Sequence, residues 1–365
     1  MKKNYPLVFT LDAGGTNFVF SALKNGERTG RSISLPSNSH DLNACLETLK
    51  SGFSTLENSL GTKPVAISFA FPGPADYQNG IIGDLPNLPA FKDGVPLGPI
   101  LENEFKVPVF INNDGDLFTL GESKSGFLPF VNKQLEDSGN SKRFRNLVGI
   151  TLGTGFGVGI SINEEMLQGD NSAGAEGWLL RNKLHNYTSI EDTISIKALK
   201  RIYAEQIHIS PDKSPEPKDI FEISKGKQDG VREAAIETYL RFGEALGDAI
   251  AHILTLIDGL VVIGGGVSGA YPLFSRSMLD ELNGYFSRLD GTMQKRLLQK
   301  VYNVEDAYQL KQFAKNETTE LKHSELEKTV TYDSQKKTAV GLSRLGTSEA
   351  VSIGAYYFAI NKLGL

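Results

Sequence analysis

Residues 8–23, VFTLDAGGTNFVFSAL, hold two apolar runs on either side of a glycine turn. Val8 to Leu11 reads as a buried strand, Asp12 to Thr16 as the turn, and Phe18 to Leu23 as a returning strand closed by Asn25-Gly26. Apolar, β-branched and aromatic residues on both sides of a short turn make a hairpin, not a strand followed by a helix. The same unit recurs: Leu147 to Leu152 reads as a strand, Gly153 to Gly159 as a glycine-rich turn, and Ile160-Ser161-Ile162 as the return. Superposing Gly15-Thr16 on Gly153-Thr154 also brings Phe18 onto Phe156 and Asn25 onto Asn163. Internal duplication of an α/β domain is the expected architecture.

Working outward, residues 40–60 carry apolar residues at helical spacing, Val65 to Phe71 is strand-like, and Pro72-Gly73-Pro74 ends it. Val107 to Ile111 is a strand running into Asn112-Asn113-Asp114, with a helix expected from Leu117 onward. Residues 132–146 are polar and charged and read as an exposed loop. Residues 232–257 form a long striped helix in which Gly243 and Gly247 permit close backbone approach. It feeds the strand Leu260 to Ile263, which stops at Gly264-Gly265-Gly266. Residues 280–340, rich in Lys, Glu and Gln, are expected to be helical and exposed, and Ala350 to Leu363 to form a final helix packed on the body.

Composition excludes several classes. A chain of 365 residues suggests two domains at roughly 100–200 residues each. With 38 basic and 43 acidic residues the net charge is −5, too acidic for a general nucleic-acid binder. A hydrophobic content of 40% supports a sizeable core. The single cysteine, Cys45, rules out an intrachain disulfide and a cysteine-rich zinc site. No run resembles a signal peptide or a spanning helix, so a cytoplasmic protein that touches no membrane is expected.

Three glycine clusters follow apolar strands: Gly14-Gly15-Thr16, Gly153-Thr154-Gly155 and Gly264-Gly265-Gly266. Glycines let successive backbone N–H groups approach an anion, so three clusters at strand ends point to phosphate and nucleotide binding rather than to simple turns. No G-x-x-x-x-G-K-[ST] occurs, and Gly153-x-Gly155-x-Gly157-x-Gly159 does not fit the dinucleotide fingerprint.

Leu11-Asp12-Ala13-Gly14-Gly15-Thr16-Asn17 resembles the first phosphate motif of the sugar kinase, actin and chaperone ATPase superfamily. Phe71-Pro72-Gly73-Pro74, Asn87-Leu88-Pro89, Val107-Pro108-Val109 leading to Asn113-Asp114, and Leu152-Gly153-Thr154-Gly155 follow in order, and this series resembles the ROK family of bacterial sugar kinases and sugar-responsive repressors. Ile263-Gly264-Gly265-Gly266-Val267-Ser268 is similar to that family's adenosine motif. The match covers residues 6–268 and the last helix, leaving about 275–340 as an enlarged segment without a counterpart.

The resemblance implies an α/β fold of two actin-like (ribonuclease H-like) domains with a sugar and ATP cleft between them. A small domain of residues 1–117 and 350–365 would carry the first phosphate motif, and a large domain of 118–349 the second phosphate motif and the adenosine motif. It implies an ATP-dependent kinase acting on the 6-hydroxyl of glucose, mannose or an N-acetylhexosamine, and a homodimer.

Asp114 matches the family's catalytic base, although an aspartate there also suits a helix N-cap. Asp12 would act through Mg2+ on the phosphates, with Gly14, Gly15, Thr16, Asn17, Gly153, Thr154, Gly155, Gly264, Gly265 and Gly266 around ATP. Gly73, Asn87, Asn113, Asp114, Glu176, Trp178 and Glu191 would surround the sugar. Glu176 is displaced by one position within its motif, and Trp178 stands where the family has a histidine that also helps hold a structural zinc. With no cysteine near, no zinc site is expected; the indole would either stack on the sugar or fill the space of the zinc loop. A repressor would need a helix-turn-helix ahead of Asp12, and no room for one is read. The remaining alternative is a homologue that binds sugar or nucleotide without catalysis.

Overall fold

The computed structural model describes residues 5–73, 75–83, 91–92 and 94–365. Pro74 and the Asn87-Leu88-Pro89 run, including the expected sugar contact Asn87, lie outside them. The chain forms two compact units. One holds the described residues up to Gly126 with Gly159–Ala175 and Arg344–Leu365; the other holds Phe127–Val158 and Glu176–Ser343.

The first unit is built on the opening hairpin. Strand Leu7–Ala13 pairs antiparallel with Asn17–Lys24, Ala13 opposite Phe18, and Glu27–Pro36 extends the sheet outward. On the other side, Ala66–Ala70 and then Val109–Asn112 add in parallel. Helix Leu42–Leu60 covers one face, capped by Asp41, whose side chain accepts from the Ala44 N–H, and ended by left-handed Gly61. Its Phe53 meets Phe20 edge to face at 4.9 Å. A Cβ on Gly52 would lie 2.3 Å from that Phe20 ring. The Cys45 thiol is buried in the same core, and desolvation pushes its pKa up to about 11, leaving no reactive thiolate at neutral pH.

The second unit repeats the plan. Within it the start of Phe156–Ile162 is followed in the sheet by Leu147–Leu152, Leu260–Gly264, Lys337–Leu342 and Lys300–Asn303. As in the first sheet, a hairpin is followed by parallel strands, here Leu260–Gly264 on Leu147–Leu152 and Lys337–Leu342 on Leu260–Gly264. The duplication read from the two glycine turns is thus a duplication of topology. Helix Arg232–Leu256 lies against Tyr271–Leu282; a Cβ on Gly243 would come 2.3 Å from the Phe274 carbonyl oxygen, and one on Gly247 2.6 Å from that of Met278.

Four expectations need correction. Helix Asp114–Ser125 begins three residues before Leu117, because Asn113 caps it. Residues 132–137 are not loop but the end of helix Phe127–Asp137, held by the buried stripe Phe127, Leu128, Val131 and Leu135. The second turn is shorter than read, since the return strand already starts at Phe156. Residues 280–340 hold more strand than helix: between Leu282 and residue 340 only Ala307–Ala314 is a helix, and Lys300–Asn303 joins the main sheet. There Lys337–Leu342, with Thr338, Ala339 and Val340 fully buried, is an interior strand that average polarity conceals.

Helix Asp114–Ser125 is seated on the C-terminal helix Thr347–Leu363 through two glycines. A Cβ on Gly354 would sit 1.9 Å from the Leu117 carbonyl oxygen, and one on Gly121 1.9 Å from that of Ala350. In an open helix a Gly-to-Ala change stabilises by about 0.8–1.0 kcal/mol. Here Gly354→Ala should reverse that sign and destabilise by about 1–3 kcal/mol through overpacking. Thermal unfolding of the variant checks this, and an unchanged or raised Tm would contradict the close contact.

Candidate active site

In the first unit the strand Leu7–Ala13 delivers a half-buried Asp12 to its end and hands over to an exposed turn. A Cβ on Gly14 would be 2.8 Å from the Asn17 carbonyl oxygen, whereas nothing lies within 4 Å of one on Gly15. The turn is braced from behind. Ser37 Oγ donates to the Gly15 carbonyl at 2.7 Å, Ser39 Oγ to the same oxygen at 3.4 Å, and the Ser37 N–H to the Thr16 carbonyl at 2.9 Å. These serines were not singled out from sequence; nothing in Ser37-x-Ser39 marks it until the Glu27–Pro36 strand returns it to the turn.

At the edge of the same sheet, strand Val109–Asn112 gives way abruptly to a helix. The Asn113 side chain accepts from the Gly115 N–H at 2.8 Å, and Asp114 Oδ1 accepts from that same N–H at 2.8 Å. A carboxylate at the first helical position also has the favourable end of the helix dipole beneath it. Asp114 remains open to solvent, yet the surrounding protein desolvates its carboxyl and raises the pKa above the usual aspartate range, more than the Gly115 N–H lowers it. Asn112, just before, is buried; its Oδ1 accepts from Gln168 Nε2 at 3.3 Å. Behind the helix start, a Cβ on Gly159 would lie 2.3 Å from the Gly115 carbonyl oxygen, so the backbones meet without an intervening side chain. Gly73 is packed in a similar way, with its Cβ direction 2.6 Å from Tyr77 Oη, which donates to the Phe71 carbonyl.

In the second unit, Gly153-Thr154-Gly155 links Leu147–Leu152 to Phe156–Ile162. Space beside Gly153 is open, while a Cβ on Gly155 would lie 2.5 Å from Glu191 Oε2. Glu191 Oε2 also accepts the Phe156 N–H at 3.0 Å, and the Ile196 N–H donates to the Gly153 carbonyl at 3.0 Å. The structure therefore brings Glu191 onto the second glycine turn, a placement its sequence motif did not reveal. At the third cluster, Gly265 has a φ of +88° and its Cβ direction points at the Leu152 carbonyl oxygen, 2.3 Å away, so only glycine fits. Ser268 Oγ holds the Gly265 carbonyl at 2.6 Å, and the space beside Gly266 is open.

Glu176 and Trp178 lie on and beside the short turn Gly177–Leu179. Trp178 is 39% exposed, and its Nε1–H donates to Glu176 Oε2. An indole this accessible is a surface feature with a polar anchor rather than interior filling. Glu176→Ala should free the N–H to water and move the emission of this single tryptophan to longer wavelength. An unchanged spectrum would contradict the contact.

Comparison with known proteins bears on these loops. Residues 8–303 match the model of the ROK family. A crystal structure of a glucokinase from Parabacteroides distasonis is similar over 98% of both chains, with 46% identity and a TM-score of 0.88. A glucokinase of Thermotoga maritima is 27% identical over 63% of this chain and 73% of its own. An N-acetyl-D-glucosamine kinase of Vibrio cholerae is 25% identical over 74% of this chain and 88% of its own. With a family match spanning most of its length, the chain belongs to the ROK family and has that family's α/β fold of two actin-like domains.

Proposed function

We propose that this protein is an ATP-dependent hexose kinase that transfers the γ-phosphoryl group to the 6-hydroxyl of glucose or a related hexose such as mannose or an N-acetylhexosamine. The observation that carries the reading is the capped helix start at Asn113-Asp114, which fixes a solvent-open carboxylate of raised pKa on rigid backbone. Similarity to proteins named glucokinase and N-acetyl-D-glucosamine kinase supports the class of substrate.

Each unit contributes its own part. In the first, Asp114 accepts the proton of the attacking hydroxyl as the new oxygen–phosphorus bond forms and the bond to the ADP leaving oxygen breaks. Asn113, beside it, is spent on capping through its Oδ1, leaving its amide N–H groups to offer to a sugar oxygen. Gly14 to Asn17 in the first unit, and Gly153 to Gly155 and Gly264 to Gly266 in the second, offer backbone donors to nucleotide phosphates. The open space beside Gly15, Gly153 and Gly266 fits that use. Asp12, half-buried at a strand end, has the hard oxygen donors that suit Mg2+, directly or through water. When bound with ATP, that ion would neutralise charge on the phosphates.

Glu191 fits two tasks: its Oε2 locks the second glycine turn, and its remaining acceptor capacity can serve a sugar hydroxyl. Gly73, Glu176 and Trp178 complete the proposed sugar set, the exposed indole serving as a stacking face for a pyranose. Asn87 belongs to the same proposal. We place the enzyme in the cytoplasm as a homodimer. A second reading, binding without catalysis, rests on the displaced Glu176 and on Trp178 in place of histidine.

ADP release from MgATP, measured across hexoses and N-acetylhexosamines beside a sugar-free blank, separates the two. Sugar-dependent release is expected; its absence with every sugar and with retained sugar binding would establish the non-catalytic reading. The pH profile gives a further check. Because the working base is the ionised carboxylate and burial raises its pKa, kcat/KM should fall as pH drops through a value above that of an ordinary aspartate. A profile flat down to the ordinary aspartate range would contradict the assignment.

A further inference from the structure

We propose that the second unit carries a separate binding site for a phosphate-bearing small molecule, at the end of its sheet opposite the glycine turns. The inference does not depend on the kinase reading. The four parallel strands Leu147–Leu152, Leu260–Gly264, Lys300–Asn303 and Lys337–Leu342 share one direction. Gly153 and Gly264 stand at their C-terminal ends. A cavity of about 740 Å³ lies at the other end, lined by segments that lead into each strand: 140–142, 254–258, 294–299 and 335–337. That volume falls within the range of small-molecule sites, roughly 300–1,000 Å³.

The charge of this cavity is one-sided. Lys142, Lys295, Arg296, Lys336 and Lys337 line it against only two carboxylates, Asp258 and Asp333. Both acids are engaged locally: Asp258 Oδ1 accepts from Gln299 Nε2 at 2.9 Å, and Asp333 Oδ1 from the Gln335 N–H at 2.9 Å. Lys337 is paired with Glu317 at 2.7 Å, but among the described residues Lys142, Lys295 and Lys336 have no acidic partner within 4.0 Å. Arg296 is held within the wall: its side chain is 6% exposed, its Nη2 reaches Asp248 Oδ1 at 3.2 Å, and its guanidinium lies 4.8 Å from the centre of the Phe286 ring. Its charge is met inside the protein, so the cation charge open to the cavity is that of the three lysines.

The mobile ammonium groups of these lysines suit phosphate oxygens. Leu254, Leu256, Leu297 and Leu298 give the same cavity an apolar wall, which free phosphate would leave unused and the carbon skeleton of a phosphate ester would cover. The chemistry therefore favours a phosphate monoester such as a phosphorylated hexose, with inorganic phosphate as the lesser source of the same group.

Amine footprinting of the full chain locates the site directly, because the glycine turns contain no lysine. Saturating glucose 6-phosphate should slow the labelling of Lys142, Lys295 and Lys336 by about fivefold or more, by simple occupancy. The exposed Lys63 and Lys218 serve as controls and should be unchanged. Greater protection by glucose 6-phosphate than by inorganic phosphate assigns an ester site, and equal protection assigns a site for the phosphate group alone. The double variant Lys295→Glu, Lys336→Glu, altered only at exposed positions, should fold with an unchanged Tm and lose protection at Lys142. No protection in the native chain with either probe, or full protection of Lys142 in the variant, would overturn the proposal.

Discussion

The turn from strand Val109–Asn112 into helix Asp114–Ser125 is the constraint on which the rest of the site depends. In four residues the chain must leave a sheet, start a helix and present a carboxylate to solvent. Asn113 accomplishes the start by accepting the Gly115 N–H, and Asp114 shares that donor, which limits where its carboxylate can point. The helix cannot drift, because glycines at three places let backbone rest on backbone: Gly159 against Gly115, Gly354 against Leu117 and Gly121 against Ala350. A group that must accept a proton at a fixed point gains more from such rigidity than from intrinsic basicity.

The two hairpin turns show one solution reached with different bracing. Both leave open space beside one glycine, Gly15 in one and Gly153 in the other. Behind the first turn, hydroxyls of Ser37 and Ser39 hold a carbonyl; behind the second, Glu191 holds an N–H and the Ile196 N–H holds a carbonyl. Backbone donors can face an anion only when the loop's other polar groups are satisfied within the protein. The third turn reaches the same end through Gly265, whose φ and close approach to Leu152 admit no side chain.

Much of this architecture is legible in the order of residues alone. The hairpins, the helix at Leu42–Leu60 and the strands Ala66–Ala70 and Leu260–Gly264 follow from apolar periodicity and glycine punctuation, which are local signals. The bracing is not legible there, because Ser37 and Glu191 act on groups brought to them by strand return and loop folding rather than by sequence neighbourhood. Residues 280–340 mislead for a related reason. Their Lys, Glu and Gln content suggests an exposed helix, yet Lys337–Leu342 lies between Leu260–Gly264 and Lys300–Asn303 in the sheet. Lys337 is tolerated there because Glu317 pairs with it, a partner twenty residues away that no window-based reading joins to it. At 132–137, charge on the outer face hides the apolar stripe on the inner one.

The most direct test of the account separates binding from chemistry at Asp114. Asp114→Asn keeps the shape of the side chain and an oxygen that can accept the Gly115 N–H, while removing the proposed base. Calorimetric binding of the best-used sugar should change by about threefold or less, which is under 1 kcal/mol. Single-turnover phosphoryl transfer from MgATP should fall by about 10²–10⁴-fold, the range for a lost general base. Transfer near the wild-type rate would contradict the central claim, and so would a loss of transfer matched by an equal loss of sugar binding.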